Sequence, residues 1–134
     1  MLEKYYKYKL DYRNYIILIR CGSFYVCLGK DAFILNEILG YKLKRISNTF
    51  KVGFPTSNLN KVCETLNDLK IDYLITDKNM KEEFKNNRYT GYNYNEELLF
   101  YRYLRIENII KYLYDNLTNN IDDKLSLIEN VIPK

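Results

Sequence analysis

The sequence predicts an α/β domain with a mixed β-sheet and helices packed on its faces, followed by a C-terminal helical extension. Three observations support this fold class. An unbroken apolar run at 15–19 indicates a fully buried strand. Short apolar strands then alternate with amphipathic helices, which is typical of α/β proteins. After residue 95, apolar residues recur at alternating spacings of three and four, which indicates a long helix.

The chain is predicted to open with a short helix over 2–10, followed by a loop and the buried strand. The apolar face of this helix is expected to carry Leu2, Tyr6 and Leu10. After the strand, Gly22 and Ser23 turn the chain, because glycine adopts positive φ without steric cost and serine bonds its own backbone. A second strand begins at Phe24 and ends at Gly29. The Phe24 ring is therefore expected either to fill the core or to be presented to an external partner.

A helix and a hairpin are predicted next. The helix over 30–39 has Asp31 in its first turn, where negative charge suits the helix dipole, and Gly40 stands where a C-terminal cap belongs. Alternating residues at 41–46 and the stretch 50–54 predict two strands joined by a tight turn.

A second amphipathic helix is predicted over 57–69, with Thr56 or Ser57 as its N-terminal cap. Its apolar stripe carries Leu59, Val62, Cys63, Leu66 and Leu69. A short apolar strand follows at 71–75. The polar stretch 77–95 is expected to form either an edge strand or an ordered loop.

Two further helices are predicted at the C-terminus. The first carries a heptad-like apolar stripe, here called the seam, formed by Leu99, Tyr103, Ile106, Ile110, Leu113 and Leu117. The second helix covers 121–132, with Asp122 and Asp123 in its first turn. Because a large apolar stripe gains free energy on leaving water, the seam is expected to pack on the chain's own sheet or helices, on a protein partner or on a second copy. The predicted organisation is a domain over 1–78, a connecting segment over 79–94 and a helical extension over 95–134.

The composition argues against catalysis. With no His in the chain, the commonest general base and metal ligand are missing. Cys21, Cys27 and Cys63 are an odd number without a Cys-x-x-Cys pair, so neither a zinc site nor a disulfide framework is indicated. No enzyme, metal site or cofactor is therefore expected. The chain has no apolar run of about 18 residues and no signal-peptide core, which predicts a soluble cytoplasmic protein without membrane association.

Positive charge is concentrated in the first third of the chain. Residues 1–45 carry nine basic and four acidic residues, whereas 46–80 carry four of each and 81–134 carry eight basic and nine acidic. A basic face suits contacts with phosphates, although scattered lysines also simply keep a protein soluble. The basic candidates are Lys4, Lys7, Lys9, Arg13, Lys30, Lys42, Lys44 and Arg45.

Two motifs carry a resemblance to a known family. Gly22-Ser23-Phe24-Tyr25-Val26 is followed by Gly29-Lys30-Asp31-Ala32, and Val52-Gly53-Phe54-Pro55 comes later. These resemble the Gly-Asp-Phe-Tyr-Glu, Gly-Glu-Asp-Ala and Ala-Gly-Val-Pro motifs of the N-terminal mismatch-recognising domain, domain I, of the MutS family of DNA repair proteins. The resemblance covers about residues 4–78, and the order of predicted strands and helices is that of the family.

The resemblance implies a role for Phe24 and a loss at Val26. The family's Phe stacks into the duplex from the minor groove, and Phe24 matches it. The family's Glu, which hydrogen-bonds the mispaired base, is replaced by Val26, which accepts no hydrogen bond. Binding is therefore expected to be electrostatic and indifferent to mismatches. The predicted nucleic-acid site consists of Ser23, Phe24, Tyr25, Arg13, Lys30, Lys42, Lys44 and Arg45.

The predicted function is non-catalytic binding of a nucleic acid, whether DNA, RNA or a hybrid of the two. The ATPase of full-length MutS proteins is not expected, because no Gly-x-x-x-x-Gly-Lys-Ser/Thr run is present. Small MutS-like proteins also resemble accessory factors encoded beside the reverse transcriptases of diversity-generating retroelements, which implies a polymerase or reverse transcriptase as partner. The alternative is a protein-interaction module that keeps the fold without binding nucleic acid.

Overall fold

The computed structural model describes residues 2–78 and 80–133. In chain order the helices are α1 (Leu2–Asp11), α2 (Gly29–Leu39), α3 (Leu59–Asp68), α4 (Glu96–Asp115) and α5 (Asp122–Val131). The strands are β1 (Ile16–Cys21), β2 (Phe24–Leu28), β3 (Lys44–Ile46), β4 (Thr49–Pro55), β5 (Tyr73–Asp77) and β6 (Met80–Phe84). Short 3-10 helices occur at Thr56–Asn58 and Gly91–Asn93. By internal contacts the chain forms two compact units, Met1–Glu96 and Glu97–Lys134.

The first unit is built on one six-stranded sheet with the order β3-β4-β2-β1-β5-β6. Strands β1 and β5 are parallel, and every other neighbouring pair in this sheet is antiparallel. The mixed sheet with packed helices confirms the predicted fold class. The central strands β1 and β2 are joined directly by the Gly22-Ser23 turn, so that Cys21 pairs with Phe24.

The core is centred on β1, as its apolar run predicts. The side chains of 16–19 are buried although neighbouring residues of a strand point to opposite faces. Both faces of β1 are therefore covered. On one face, α3 reaches β5, where the Tyr73 hydroxyl donates to Asn67 Oδ1 at 3.1 Å. Helix α1 contributes the buried ring of Tyr5 to the same core.

The apolar face predicted for α1 was wrong. Tyr6 and Leu10 are exposed, whereas Tyr5 is buried and Leu2 and Tyr8 pack partly against the core. The inward face carries Tyr5 and, in part, Tyr8. The Tyr5 ring can be buried because its hydroxyl donates hydrogen bonds to the Leu28 carbonyl and to Asp31.

Two element boundaries also differ from the prediction. The edge strand β3 is limited to three residues, Lys44–Ile46, instead of 41–46. The second amphipathic helix starts at Leu59, behind a 3-10 turn at Thr56–Asn58, and neither end of that turn makes a side-chain capping bond. Thr56 therefore contributes through its backbone, since its N–H donates to the Ser23 carbonyl at 2.9 Å.

The stretch predicted as either an edge strand or a loop forms the edge strand β6. Beyond it, the buried carboxylate of Asp72 accepts hydrogen bonds from the backbone N–H groups of Asn86 and Asn87, the latter at 2.6 Å. The Asp72 N–H in turn donates to the Arg88 carbonyl at 2.9 Å. The connecting segment was predicted over 79–94, and its described part, 80–94, contributes a strand and hydrogen bonds to the first unit. That 1–78 folds as a domain without this segment stays a prediction.

The helices α4 and α5 form the second unit. Helix α4 buries none of its residues, and the seam is therefore half-buried to exposed along its whole length. The ammonium of Lys124 in α5 lies 4.7 Å from the centre of the Tyr112 ring in α4. No helix in the part of the chain that the structure describes is both long and apolar enough to cross a bilayer.

Candidate nucleic-acid interface

The β1–β2 turn holds Phe24 at the tip of the sheet. Gly22 has φ 62° as the first residue of a two-residue loop, which is the position where a type II′ hairpin turn requires glycine. Phe24 pairs with Pro55 of β4, and the Ser23 carbonyl accepts the Thr56 N–H at 2.9 Å. Phe24 is nevertheless 50% exposed. A large ring on an anchored tip has the geometry that the wedge hypothesis requires.

Tyr25 and Val26, the next two residues, face the interior. Tyr25 is only 6% exposed, and its ring stacks on Phe54 at a centroid distance of 5.9 Å. Phe54 stacks in turn on Tyr41 at 5.5 Å. The prediction that Tyr25 contacts nucleic acid is therefore corrected, because its ring supports the turn from within the core. Val26 is also buried, so this position presents no polar group to a base.

A groove lined by cations lies beside the turn, and the sequence analysis missed most of it. It consists of two depressions, of about 490 and 270 Å³, which share Lys4 and Lys78. The cations of this basic groove are Lys4, Lys7, Arg20, Lys78 and Lys81. Gly22 of the hairpin turn lines the first depression, so the groove borders the tip that carries Phe24. Among the described residues that line it, Asp11 and Asp77 carry the opposing charges.

Local contacts hold the groove together without removing its positive charge. Lys4 Nζ donates to the Lys78 carbonyl at 3.2 Å. Arg20 forms an exposed ion pair with Asp77 at 3.3 Å, and its Nε donates to the Gly22 carbonyl at 3.2 Å. The hydroxyl of Tyr12 raises the pKa of Lys81, whose ammonium also lies over that ring. Lys81 therefore remains charged.

The groove was hard to find in the sequence because its members come from four elements. Arg20 closes the apolar run of β1, where it is easily taken for the end of a core strand. Lys78 follows β5 and lies at the limit of the stretch over which the resemblance was detected. The signal for the groove in the sequence was the charged stretch after Asp77. The parallel pairing of β5 with β1 brings this stretch beside the hairpin turn.

Four of the other predicted cations lie away from Phe24. Arg13 and Lys30 flank the end of β2 at Leu28, about 13 Å from Phe24 at about 3.3 Å per strand residue. Lys44 pairs with Lys51, which itself pairs with Leu28, so the edge strand lies at this same end of the sheet. The exposed cations of that edge are Lys42, Lys44 and Arg45. The sheet thus separates these cations from Ser23 and Phe24.

Lys42 is the exception within the edge group. It follows Tyr41, whose ring stacks on Phe54 at 5.5 Å. Because Phe54 pairs with Tyr25, Lys42 lies nearer to the turn than the two cations that follow it in the chain.

Behind these surfaces, Asp31 is a fully buried carboxylate that joins α1, β1 and α2. Its oxygens accept the Ile17 N–H at 3.1 Å and the Tyr89 hydroxyl at 2.6 Å, and Lys9 Nζ lies 3.1 Å away. The Tyr5 hydroxyl also donates to it. The sequence indicated only a favourable charge at a helix start, whereas the structure shows a buried ion pair with three further donors.

This cluster keeps its tyrosines protonated. Burial raises the pKa of Tyr5 well above its usual value, and the charge of Asp31 adds to the effect. Burial and then Asp31 likewise raise the pKa of Tyr89. Both hydroxyls therefore remain donors to the carboxylate, and Lys9, which the sequence analysis counted as a basic candidate, has its ammonium directed inward.

The match to a known family covers most of the chain. The family model for MutS domain I matches residues 1–101. The chain belongs to the MutS domain I family. This finding confirms the resemblance and extends it beyond β6, into the region that the sequence analysis left without a match.

Relatives of the chain are much longer than the matched part. The DNA mismatch repair protein MutS of Thermotoga petrophila is 30% identical over 88 residues, which are 66% of this chain and 11% of that protein. The protein of the same name from Phocaeicola vulgatus is 28% identical over 100 residues, covering 61% of this chain and 12% of the relative. The protein of the same name from Petrotoga mobilis is 34% identical over 68 residues, which are 51% of this chain and 8% of that protein. The chain thus spans about a tenth of the length of these relatives.

Proposed function

We propose that this protein is a non-catalytic DNA-binding domain that contacts a duplex through Phe24 and the basic groove. The observation that carries this proposal is the juxtaposition of a half-exposed ring on an anchored turn with five cations beside it. Membership of the MutS domain I family supports DNA as the nucleic acid, since the relatives are DNA mismatch repair proteins.

The two parts of this surface have different tasks. The cations neutralise phosphates and release counterions, which gives affinity without sequence preference. The Phe24 ring enters between base pairs from the minor groove and bends the duplex, as apolar wedges do in other minor-groove binders. Because Val26 presents no acceptor, the wedge reads the ease of unstacking and not the identity of a mispaired base.

The cations that the sheet separates from Phe24 have a secondary role in this proposal. Lys44 and Arg45 on the edge strand, together with Arg13 and Lys30, add long-range attraction for a polyanion, and Lys42, which precedes the strand, adds to it from nearer the turn. Such attraction is screened by salt within about 10 Å at 0.1 M ionic strength. Their contribution to affinity is therefore smaller than that of the groove.

The proposal is tested by fluorescence anisotropy on a labelled 20-base-pair duplex over a series of salt concentrations. The variant Lys4→Glu/Lys78→Glu reverses two charges in the groove, and Lys44→Glu/Arg45→Glu reverses two on the edge strand as a matched control. The groove variant is expected to lower the salt slope by about 2, at about 0.9 per phosphate contact, whereas the control lowers it less. Equal losses from both variants would contradict a localised groove.

The wedge is tested separately with Phe24→Ala. This change is expected to weaken duplex binding about tenfold, which is about 1.4 kcal/mol, while leaving the salt slope unchanged. A G·T duplex and its matched control are expected to bind alike. Duplex RNA and an RNA–DNA hybrid of the same sequence serve as competitors, and tighter binding of either would replace DNA as the ligand.

A second function is favoured by the exposed apolar residues of the second unit. We propose that the seam (Leu99, Tyr103, Ile106, Ile110, Leu113 and Leu117) binds a protein partner. A polymerase or reverse transcriptase suits an accessory role, as implied by the likeness to retroelement-encoded small MutS-like proteins, and a second copy of this chain is the other occupant. If nucleic-acid binding is absent and partner binding is retained, the chain is instead an interaction module.

A further inference from the structure

A second pocket lies at the Leu28 end of β2, away from the Phe24 turn. It has a volume of about 480 Å³ and is formed by α1, the loop after it, the start of α2 and the segment 89–96 of the first unit. This volume falls within the range of about 300–1,000 Å³ that is typical of small-molecule sites. The pocket is separate from the basic groove, with which it shares no lining residue.

Two cations that line this pocket are available to an anion. Arg13 and Lys30 make no ion pair with any residue in the described ranges 2–78 and 80–133. Lys9, the third cation of the lining, is held by Asp31 at 3.1 Å and by the Tyr15 carbonyl at 2.7 Å. A guanidinium beside an ammonium is a typical binding arrangement for phosphate.

Two tyrosine rings give the pocket faces on which a base can stack. Tyr6 is 48% exposed, and its ring stands edge-on to Tyr5 at 5.9 Å and 86°. Tyr92 is 65% exposed and edge-on to Tyr89 at 5.3 Å and 85°. Each exposed ring is therefore oriented by a more buried one. Stacking on such a ring contributes about 1–3 kcal/mol per base in nucleic-acid complexes.

The remaining polar groups suit a sugar. The Tyr92 hydroxyl donates to Asn14 Oδ1, which leaves the Asn14 amide N–H groups to donate outward. The Glu96 carboxylate lies against Gly29, with Oε1 3.0 Å from the position that a Cβ would take there. A carboxylate repels phosphate but accepts hydrogen bonds from the two hydroxyls of a ribose, as acidic residues do in dinucleotide sites.

We propose that this pocket binds a ribonucleotide, either free or at the 5′ end of an RNA strand. Arg13 and Lys30 hold the phosphate, Tyr6 and Tyr92 stack on the base, and Glu96 accepts the ribose hydroxyls. The site shares Arg13 and Lys30 with the cations of secondary role in DNA binding, but it uses neither Phe24 nor any residue of the basic groove. A failure of either proposal therefore leaves the other intact.

The proposal is tested by titrating the full chain with AMP, dAMP, adenosine and inorganic phosphate in a calorimeter. AMP is expected to bind more tightly than each of the other three, because only AMP satisfies the cations, the rings and the carboxylate together. The variant Arg13→Gln/Lys30→Gln is expected to weaken AMP binding by about tenfold or more, since hydrogen bonds to charged groups are the stronger ones. Lys44→Gln/Arg45→Gln removes the same charge elsewhere and should leave AMP affinity unchanged.

The variant Glu96→Gln tests the proposed contact between the Glu96 carboxylate and the ribose hydroxyls. It is expected to reduce the preference for AMP over dAMP while keeping the chain folded, as judged by circular dichroism. Equal binding of AMP and dAMP to the unmodified chain, or no detectable AMP binding at 10 mM, would overturn the proposal. Phe24→Ala, which alters the other site, should not change AMP affinity.

The two sources of the ligand are distinguished by competition. If the end of an RNA strand is the ligand, a 5′-phosphorylated oligoribonucleotide binds more tightly than AMP and more tightly than its 5′-hydroxyl form, and AMP displaces it. If a free nucleotide is the ligand, AMP binds more tightly than either oligonucleotide. Loss of both interactions in Arg13→Gln/Lys30→Gln assigns them to this pocket, and retention of both would refute it.

Discussion

The two units of this protein carry similar apolar periodicity but use it differently. In the first unit, most apolar residues of β1, β2 and α2 are buried, and Phe24 at the start of β2 is the exposed one. In the second, α4 has a regular apolar stripe and buries no residue. The sheet provides neighbours on both sides of each central strand, whereas a two-helix segment covers at most one face of each helix. Apolar periodicity therefore indicates a helix or strand without indicating what covers it.

The largest expected difference concerns one ion pair in each unit. Replacing the buried Asp31 by Asn leaves the Lys9 ammonium without its carboxylate partner. It also removes the negative charge that accepts hydrogen bonds from the hydroxyls of Tyr5 and Tyr89. Breaking a buried pair typically costs about 3–5 kcal/mol. Urea unfolding followed by circular dichroism measures this loss.

Asp115→Asn is the matched control in α4, where Asp115 pairs with Lys111 at 2.6 Å on an exposed surface. Exposed pairs of this spacing contribute little, so the unfolding midpoint is expected to stay unchanged. Similar losses of stability from Asp31→Asn and Asp115→Asn would contradict the expectation that a buried ion pair contributes more than an exposed one.

A slightly smaller difference is expected for truncation of apolar side chains. Leu18→Ala removes a fully buried side chain from β1 and should cost about 2–5 kcal/mol, including the cavity that it leaves. Leu117→Ala at the exposed end of the seam should cost about 0.5 kcal/mol or less. Comparable costs at the two positions would mean that the seam is covered in solution.

Polar substitutions within the seam test directly whether it is covered in solution. The variant Ile106→Lys/Ile110→Lys is expected to leave the first unit folded, because neither side chain is buried. If the seam is a partner surface, the variant loses the partner, or changes from dimer to monomer in light scattering. Unfolding of the whole chain would instead assign the seam to an internal core.

The smallest expected effect is the dependence of stability on alkaline pH. Burial raises the pKa of Tyr73 to about 12, from an ordinary value near 10. The folded state therefore retains a proton that the unfolded state loses, so this stabilisation is present below about pH 10 and is lost between about pH 10 and 12.

Tyr73→Phe should reduce the slope of stability against pH in that window, measured by urea unfolding at several pH values. Tyr114→Phe, on an exposed ring of α4, should leave the slope unchanged. An unchanged slope in both variants would show that the Tyr73 hydroxyl is not protected in the folded state.

Local sequence determined most of the elements. The apolar run of β1, the Gly22-Ser23 turn and the cap at Gly40 each depend on neighbouring residues, and each was predicted at nearly the right position. The same turn left two alternatives for the Phe24 ring, the core or an external partner, and the structure shows the ring 50% exposed. The family motifs identified the fold because they mark the β1–β2 turn and the second half of β4 at a fixed separation.

The tertiary structure alone decided which charges act together. Parallel pairing of β5 with β1 places Lys78 beside the hairpin turn, although 54 positions separate it from Phe24. The same packing buries Asp31 with Lys9 and Tyr89, and it moves Arg13 and Lys30 to the far end of β2. Secondary structure depends on hydrogen bonds and side-chain periods over a few residues, which a sequence displays. Charge clusters depend on distances across the sheet, which exist only once the strands have paired.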